Sequence, residues 1–153
     1  MTVQYVLGFM FDVATQRVLL IRKRRPAWQA GKLNGVGGKI EAAESPIQAL
    51  VREVREEAAL DTAPEQWRYF GVMDGPEFLV HCFELRDDGI TGFRSRTDET
   101  LELVAVDLEL IRREGQRGLA ALVAHALNGE EPFMRLSYGP QAESEKQQYP
   151  AFE

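Results

Sequence analysis

Three glutamates, Glu53, Glu56 and Glu57, fall close together in the run REVREEAAL. On a helix they stand at i, i+3 and i+4, where like charges cost several tenths of a kcal/mol per pair. A hard divalent cation removes that repulsion and takes the carboxylate oxygens as ligands. Mg²⁺ takes about six oxygens near ~2.1 Å and keeps several waters, and Mn²⁺ can substitute for it. A backbone carbonyl at Gly38 could add one more oxygen. A cation held this way can bridge to a diphosphate, offset its charge and orient an attacking water. Arg52 adjoins Glu53 and can hold that carboxylate in one rotamer, and Glu44 has a similar supporting place.

The glutamates need a helix. Ser45 is a good N-cap, Pro46 suits the first helical position and Gln48 completes a capping box. Ile47, Leu50, Val51, Val54 and Ala58 form one apolar stripe at helical spacing. The stripe centres roughly 120° from the glutamate cluster. The carboxylates therefore sit beside the buried face, where they can line a cleft.

Around this helix the chain reads as strands. Residues 3–11 and 17–23 are rich in strand formers and flank the turn at 12–16, which predicts a hairpin. Residues 24–39 hold Pro26 and four glycines and read as a loop with a short strand near Leu33 to Val36. Two strands, 67–73 and 78–85, are joined by Asp74-Gly75-Pro76, and another spans 101–106. Leu119, Leu122, Val123 and Ala126 mark a second helix closed by Asn128-Gly129. From Ser137 to the last residue, 153, the chain is polar and turn-rich. This order predicts an α/β fold, a mixed sheet between helices, in a single domain over 1–153.

Composition narrows the function classes. No run of about 18 apolar residues exists, so no membrane span or membrane partner is predicted. The N-terminal residues carry no basic leader and read as a first strand. The only cysteine, Cys82, cannot form an internal disulfide or a cysteine metal site, and a cytoplasmic setting is expected. A net charge of −6 argues against a polymeric nucleic acid partner, because such binding rests on basic residues. A small anionic ligand remains compatible once a cation screens the acids. Oligomeric state is not legible.

From Gly38 the chain reads GKIEAAESPIQALVREVREEAAL. This run resembles the Nudix box, Gly-x5-Glu-x7-Arg-Glu-aliphatic-x-Glu-Glu-x-Gly-aliphatic, over residues 38–60. Gly38, Glu44, Arg52, Glu53, Glu56 and Glu57 all match. Ala59 stands where the family has glycine. The helix then either ends at Ala59 in a strained left-handed conformation or runs on toward Asp61.

The resemblance implies an α/β/α sandwich. It also implies Mg²⁺-dependent hydrolysis of a nucleoside diphosphate linked to another group, by attack of water on phosphorus. The general base in these enzymes is a box glutamate, here Glu53, or a glutamate from a later loop. Glu99 is the preferred loop candidate here, with Glu102 the alternative.

The flanking run AGKLNGVGGKIE resembles that of MutT-like and oxidised-purine nucleoside triphosphatases, in which an Asn-Gly pair contacts the base. Asn34-Gly35 matches that pair, and an Asn side chain both donates to and accepts from a purine edge. Lys39 suits a phosphate. Lys23, within the basic run 22–25, is expected to face the triphosphate, and Trp28 could stack on a base. Phe78 is expected in the core. The expected substrate is a nucleoside triphosphate, with oxidised purine deoxynucleotides among the candidates. Pro76, 16 residues past Leu60, keeps ADP-ribose or another nucleoside diphosphate derivative as the alternative. ADP-ribose-type enzymes often carry an extra N-terminal segment, which the strand beginning near Val3 leaves no room for. A non-catalytic nucleotide-sensing domain is the third reading. It is disfavoured because the box carboxylates are kept.

Overall fold

The computed structural model of the chain describes residues 2–129 and 132–139. Its centre is β1 (Val3–Asp12), buried at every position from Tyr5 to Asp12. A strand covered on both faces needs apolar residues on both, and the run YVLGFMF supplies them. β1 pairs antiparallel with β2 (Arg17–Arg22), as expected of the hairpin. It also pairs antiparallel with β4 (Val36–Lys39) and parallel with β6 (Phe78–Asp87).

β3 (Leu33–Asn34) lies beside β2, and β5 (Arg68–Asp74) lies beside β6. β7 (Thr100–Ala105) pairs with β2, and β8 (Met134–Ser137) runs parallel to β5. The strand order is β3-β2-β1-β6-β5-β8, with β4 on β1 and β7 on β2. The sheet is therefore mixed.

Helices cover both faces. α1 (Pro46–Ala58) buries Ala49, Leu50, Val54 and Ala58 against Val6, Met10 and Leu19. Each fully buried leucine or valine contributes on the order of 2 kcal/mol. On the other face, α2 (Leu108–Glu114) and α3 (Leu119–Leu127) pack Ile111, Leu119, Leu122 and Val123 against Leu7, Phe9 and Leu20. This is the α/β/α sandwich expected above. Phe78 is buried in the core, and Cys82 is buried too, its thiol pushed up to about 12 by burial. Among the described residues, no helix is long and apolar enough to cross a membrane.

Two elements correct the sequence reading. The sequence reading assigns no element to 108–114, where α2 stands. Asp107 nucleates it by accepting the backbone N–H groups of Glu109 and Leu110. β8 begins before the segment read as polar tail and includes Ser137. It docks where Gly71 leaves room, since a Cβ there would lie 2.7 Å from the Met134 carbonyl oxygen. The rest of that tail, 140–153, lies outside the described residues.

The end of α1 answers the question posed by Ala59. Its φ and ψ are 58° and 30°, and its N–H donates to the Arg55 carbonyl at 3.1 Å. The helix stops where the family glycine would stop it, and Ala59 takes a left-handed conformation that costs about 1 kcal/mol. Ala59→Gly is expected to raise the thermal midpoint by about 2 °C, because the added freedom of the unfolded chain offsets part of the relief. Turnover is expected to stay unchanged. A calorimetric scan with a parallel rate assay checks both.

Candidate active site

The capping box forms as its spacing predicts: Ser45 Oγ accepts from the Gln48 N–H, and Gln48 Oε1 accepts from the Ser45 N–H. The cap and the buried stripe together set the rotation of α1. Glu53 and Glu57, one turn apart, then face the edge of β4, where two glycines meet them. A Cβ on Gly37 would lie 1.9 Å from the Val6 carbonyl oxygen. One on Gly38 would lie 2.5 Å from Glu53 Oε1. The Glu53 carboxylate thus packs directly on Gly38, where a side chain would displace it.

Arg52 is the hub of the acidic edge. Its Nε and Nη2 donate to the two oxygens of Glu44 at 2.7 and 2.9 Å, and its Nη1 donates to Glu53 Oε1 at 2.8 Å. Nη2 also reaches the Lys39 carbonyl at 3.1 Å, tying the helix to β4. The guanidinium holds the Glu44 carboxyl below its usual range. Arg52 thus stands between Glu44 and Glu53.

A second ion pair closes the opposite wall. Lys23 Nζ donates to Glu99 Oε1 at 3.0 Å, and both side chains are buried. Glu99 Oε2 accepts the backbone N–H groups of Arg24 and Arg25 at 2.6 and 3.4 Å. Between the two walls lies a cavity of about 260 Å³ lined by Lys23, Gly38, Lys39, Glu53, Glu57 and Glu99. Gly37, Arg25 and Thr97 complete its rim. Those three were not selected from the sequence. Gly37 carried a signal in the Gly-Gly pair preceding the box and Arg25 in the basic run 22–25, whereas Thr97 arrives with the loop before β7.

Other expected site residues lie elsewhere. Glu56 is exposed and pairs with Arg52 Nη1 at 3.2 Å, outside the cavity lining. Glu102 is held by Arg22, whose Nε and Nη2 donate to its two oxygens at 2.6 and 3.0 Å. Asn34 is buried in β3, its Oδ1 accepting the Gly35 N–H, and does not line this cavity. Trp28 is half-buried outside it, and Pro76 is exposed in the turn between β5 and β6.

Two half-buried carboxylates a turn apart cannot both ionise at low cost. Burial first, and then the neighbouring Glu53, push the Glu57 carboxyl up to about 8. Burial also raises Glu53, against the pull of Arg52. Among the described residues, no three His, Cys, Asp or Glu side chains form a preformed metal cage. The site nonetheless fits a hard divalent cation. It offers two half-buried, mutually repelling carboxylates one helical turn apart, with the β4 backbone against Glu53.

The same geometry sets a pH dependence. Below the ordinary value of 4.5, Glu57 is protonated in both folded and unfolded chains. As pH rises from there toward about 8, the unfolded chain has lost a proton that the folded protein keeps, so stability falls. Without a divalent cation, the thermal midpoint is expected to decline across that window. Added Mg²⁺ should raise the midpoint more near pH ~8.5 than near pH ~5.5. Melting curves at both pH values, with and without the cation, check this.

The model of the NUDIX domain matches residues 1–125. The chain belongs to the Nudix family of hydrolases. Solved structures share its fold at low sequence identity. A MutT protein from Bacillus halodurans superposes with a TM-score of 0.70 at 20% identity, over 90% of this chain and 91% of that one. A bifunctional NMN adenylyltransferase/ADP-ribose pyrophosphatase from Francisella tularensis, complexed with AMP and a manganese ion, gives 0.68 at 15% identity. This match covers 84% of the present chain and 42% of the longer protein. A MutT/Nudix family protein from Enterococcus faecalis gives 0.60 at 14% identity, over 67% of this chain and 43% of its own. The chain thus spans less than half the length of two of these proteins.

Proposed function

We propose that this Nudix domain hydrolyses a nucleoside triphosphate to the monophosphate and pyrophosphate, using Mg²⁺, with Mn²⁺ able to replace it. The observation that carries this reading is the cavity in which Glu53 and Glu57 face Lys23, Lys39 and Glu99. Glu53, Glu57 and the Gly38 carbonyl would hold the cation, and Glu56 would join them by turning away from Arg52. The bound cation supplies charge neutralisation for the phosphates and acidifies a water.

The chain's own groups do the rest. Lys23 and Lys39 draw the polyphosphate into the cavity. Arg52 fixes Glu53 in one rotamer. Glu53 or Glu99 takes the proton of the attacking water, which adds to phosphorus as the P–O bond to the leaving group, pyrophosphate or the nucleoside monophosphate, breaks. The Glu99 oxygens already accept three N–H groups, which favours Glu53 as the base. The Arg22–Glu102 pair makes Glu99 the better loop candidate.

The alternative is a nucleoside diphosphate derivative such as ADP-ribose, supported by the fold shared with part of the bifunctional Francisella tularensis protein whose activities include ADP-ribose pyrophosphatase. Purified protein with Mg²⁺ is to be screened against nucleoside triphosphates, oxidised purine triphosphates, ADP-ribose, dinucleoside polyphosphates and nucleotide sugars. Best turnover of a triphosphate with release of pyrophosphate supports the first reading. Preference for ADP-ribose selects the second, and no turnover of any of them favours a nucleotide-sensing domain.

Base readout by Asn34 adds a narrower expectation. Asn34→Ala should lower kcat/KM for purine triphosphates more than for pyrimidine ones, by about tenfold. Equal losses remove Asn34 from base recognition and leave its Gly35 N–H contact as its role.

We place the reaction in one domain, in a cytoplasmic setting and without polymeric nucleic acid. The net charge of −6 and the single buried cysteine support that setting.

A further inference from the structure

Glu99 lines the cavity, yet it ends an exposed loop. Arg94, Ser95, Arg96, Thr97 and Asp98 are all exposed, and only Glu99 turns inward before β7 begins at Thr100. Core packing therefore cannot place it. Its backbone is held instead by two side chains of the same loop. Ser95 Oγ lies within donor reach of the Glu99 carbonyl and of the Thr97 carbonyl, the latter at 2.9 Å. The same oxygen accepts the Thr97 N–H at 3.3 Å, and Thr97 Oγ1 accepts the Glu99 N–H at 3.1 Å.

The start of this loop is tied to the catalytic helix. The Arg94 N–H donates to the Ala58 carbonyl at 3.0 Å, and the Arg96 N–H donates to the Glu57 carbonyl at 3.4 Å. These carbonyls belong to the last turn of α1, where no intrahelical partner exists for them. Ser95 sits between the two bonds. One face of the loop therefore grips the end of the helix that carries Glu57, and its hydroxyls set where Glu99 stands against that helix.

We propose that Ser95 is a positioning residue, whose hydroxyl fixes the Glu99 backbone so that its carboxylate meets Lys23 and the box glutamates. This rests on the reading that Glu99 belongs to the active site. A displacement of about 1 Å at such a group costs up to about a hundredfold in rate. Truncating an exposed serine leaves the core untouched.

The test uses the full chain with Mg²⁺ and the best substrate of the panel above. Ser95→Ala is expected to lower kcat about tenfold with KM changed by less than about twofold, and Ser95→Thr, which keeps the hydroxyl, to recover most of the rate. Amide hydrogen exchange at Thr97 and Glu99 should quicken in Ser95→Ala while α1 amides keep their protection. Wild-type kcat in Ser95→Ala, unchanged exchange at Thr97, or no recovery in Ser95→Thr overturns the proposal. Glu99→Gln separates the two levels. If it loses turnover while Ser95→Ala does not, only the positioning role fails. If Glu99→Gln keeps full turnover, the place of Glu99 in the reaction fails and the role of Ser95 falls with it.

Discussion

Glu53→Gln is expected to lower Mg²⁺-dependent turnover by about 10²–10⁴-fold while the fold persists. Glu53 lies against β4, where a Cβ on Gly38 would strike its Oε1 at 2.5 Å. It also accepts from Arg52 Nη1 at 2.8 Å, so its position is fixed from two sides. Gln has nearly the same shape but lacks the charge that a hard cation requires and the basicity that a water requires. The stability of the cation-free protein should move the other way. Burial raises Glu57 most and the charge of Glu53 comes next, so neutralising Glu53 brings the Glu57 carboxyl back down. Glu53→Gln should therefore melt higher than wild type in EDTA at pH ~8 and gain less from added Mg²⁺. Turnover near wild type would remove Glu53 from the chemistry, whatever the melting curves show.

Lys23→Met is expected to destabilise the fold by about 3 kcal/mol and to lower the thermal midpoint by about 10 °C. Lys23 and Glu99 are each only 8% exposed and lie 3.0 Å apart. Removing the ammonium leaves a buried carboxylate that keeps only two backbone N–H donors, from Arg24 and Arg25. The cost is that of an uncompensated buried charge, and neutralising the charge should recover it. The double variant Lys23→Met/Glu99→Gln is therefore expected to be more stable than Lys23→Met alone. Additive losses in the double-mutant cycle would show that the pair is not coupled. Turnover should also fall in Lys23→Met, since the cavity loses one of its cations.

Much of α1 was legible because its signals are local. Ser45, Pro46 and Gln48 start the helix, the stripe from Ile47 to Ala58 orients it, and the box spacing marks its acidic edge. Even the odd place of Glu56 was encoded. At about 100° per residue, Glu57 lies roughly 75° from the centre of the stripe, Glu53 roughly 115° and Glu56 roughly 175°. Treating the three as one cluster hid this gradient, which the structure expresses as Glu53 and Glu57 in the cavity and Glu56 in solvent.

The rest depends on pairings distant in sequence. Glu99 is preferred to Glu102 in the sequence only by its place in the loop before the strand. They are separated by the register of β7 on β2, which sets Glu102 opposite Leu20 and brings it to Arg22. The ion pair of Lys23 with Glu99 joins residues 76 positions apart, and no local pattern announces it. α2 escaped notice because Asp107 and the packing of Ile111 build it, and neither is a periodic signal. At Ala59 the sequence left strain and helix extension equally open. The loop tied to the Glu57 and Ala58 carbonyls favours stopping the helix there.

The central claim is that the Glu53–Glu57 edge and the cavity it lines hydrolyse a phosphate anhydride with a divalent cation. Phosphorus NMR of a nucleoside triphosphate incubated with the purified protein tests it most directly. With Mg²⁺, resonances of the monophosphate and of pyrophosphate should grow together, and neither should appear in EDTA or with Glu53→Gln. Equal product formation in EDTA, or in Glu53→Gln, would contradict the claim.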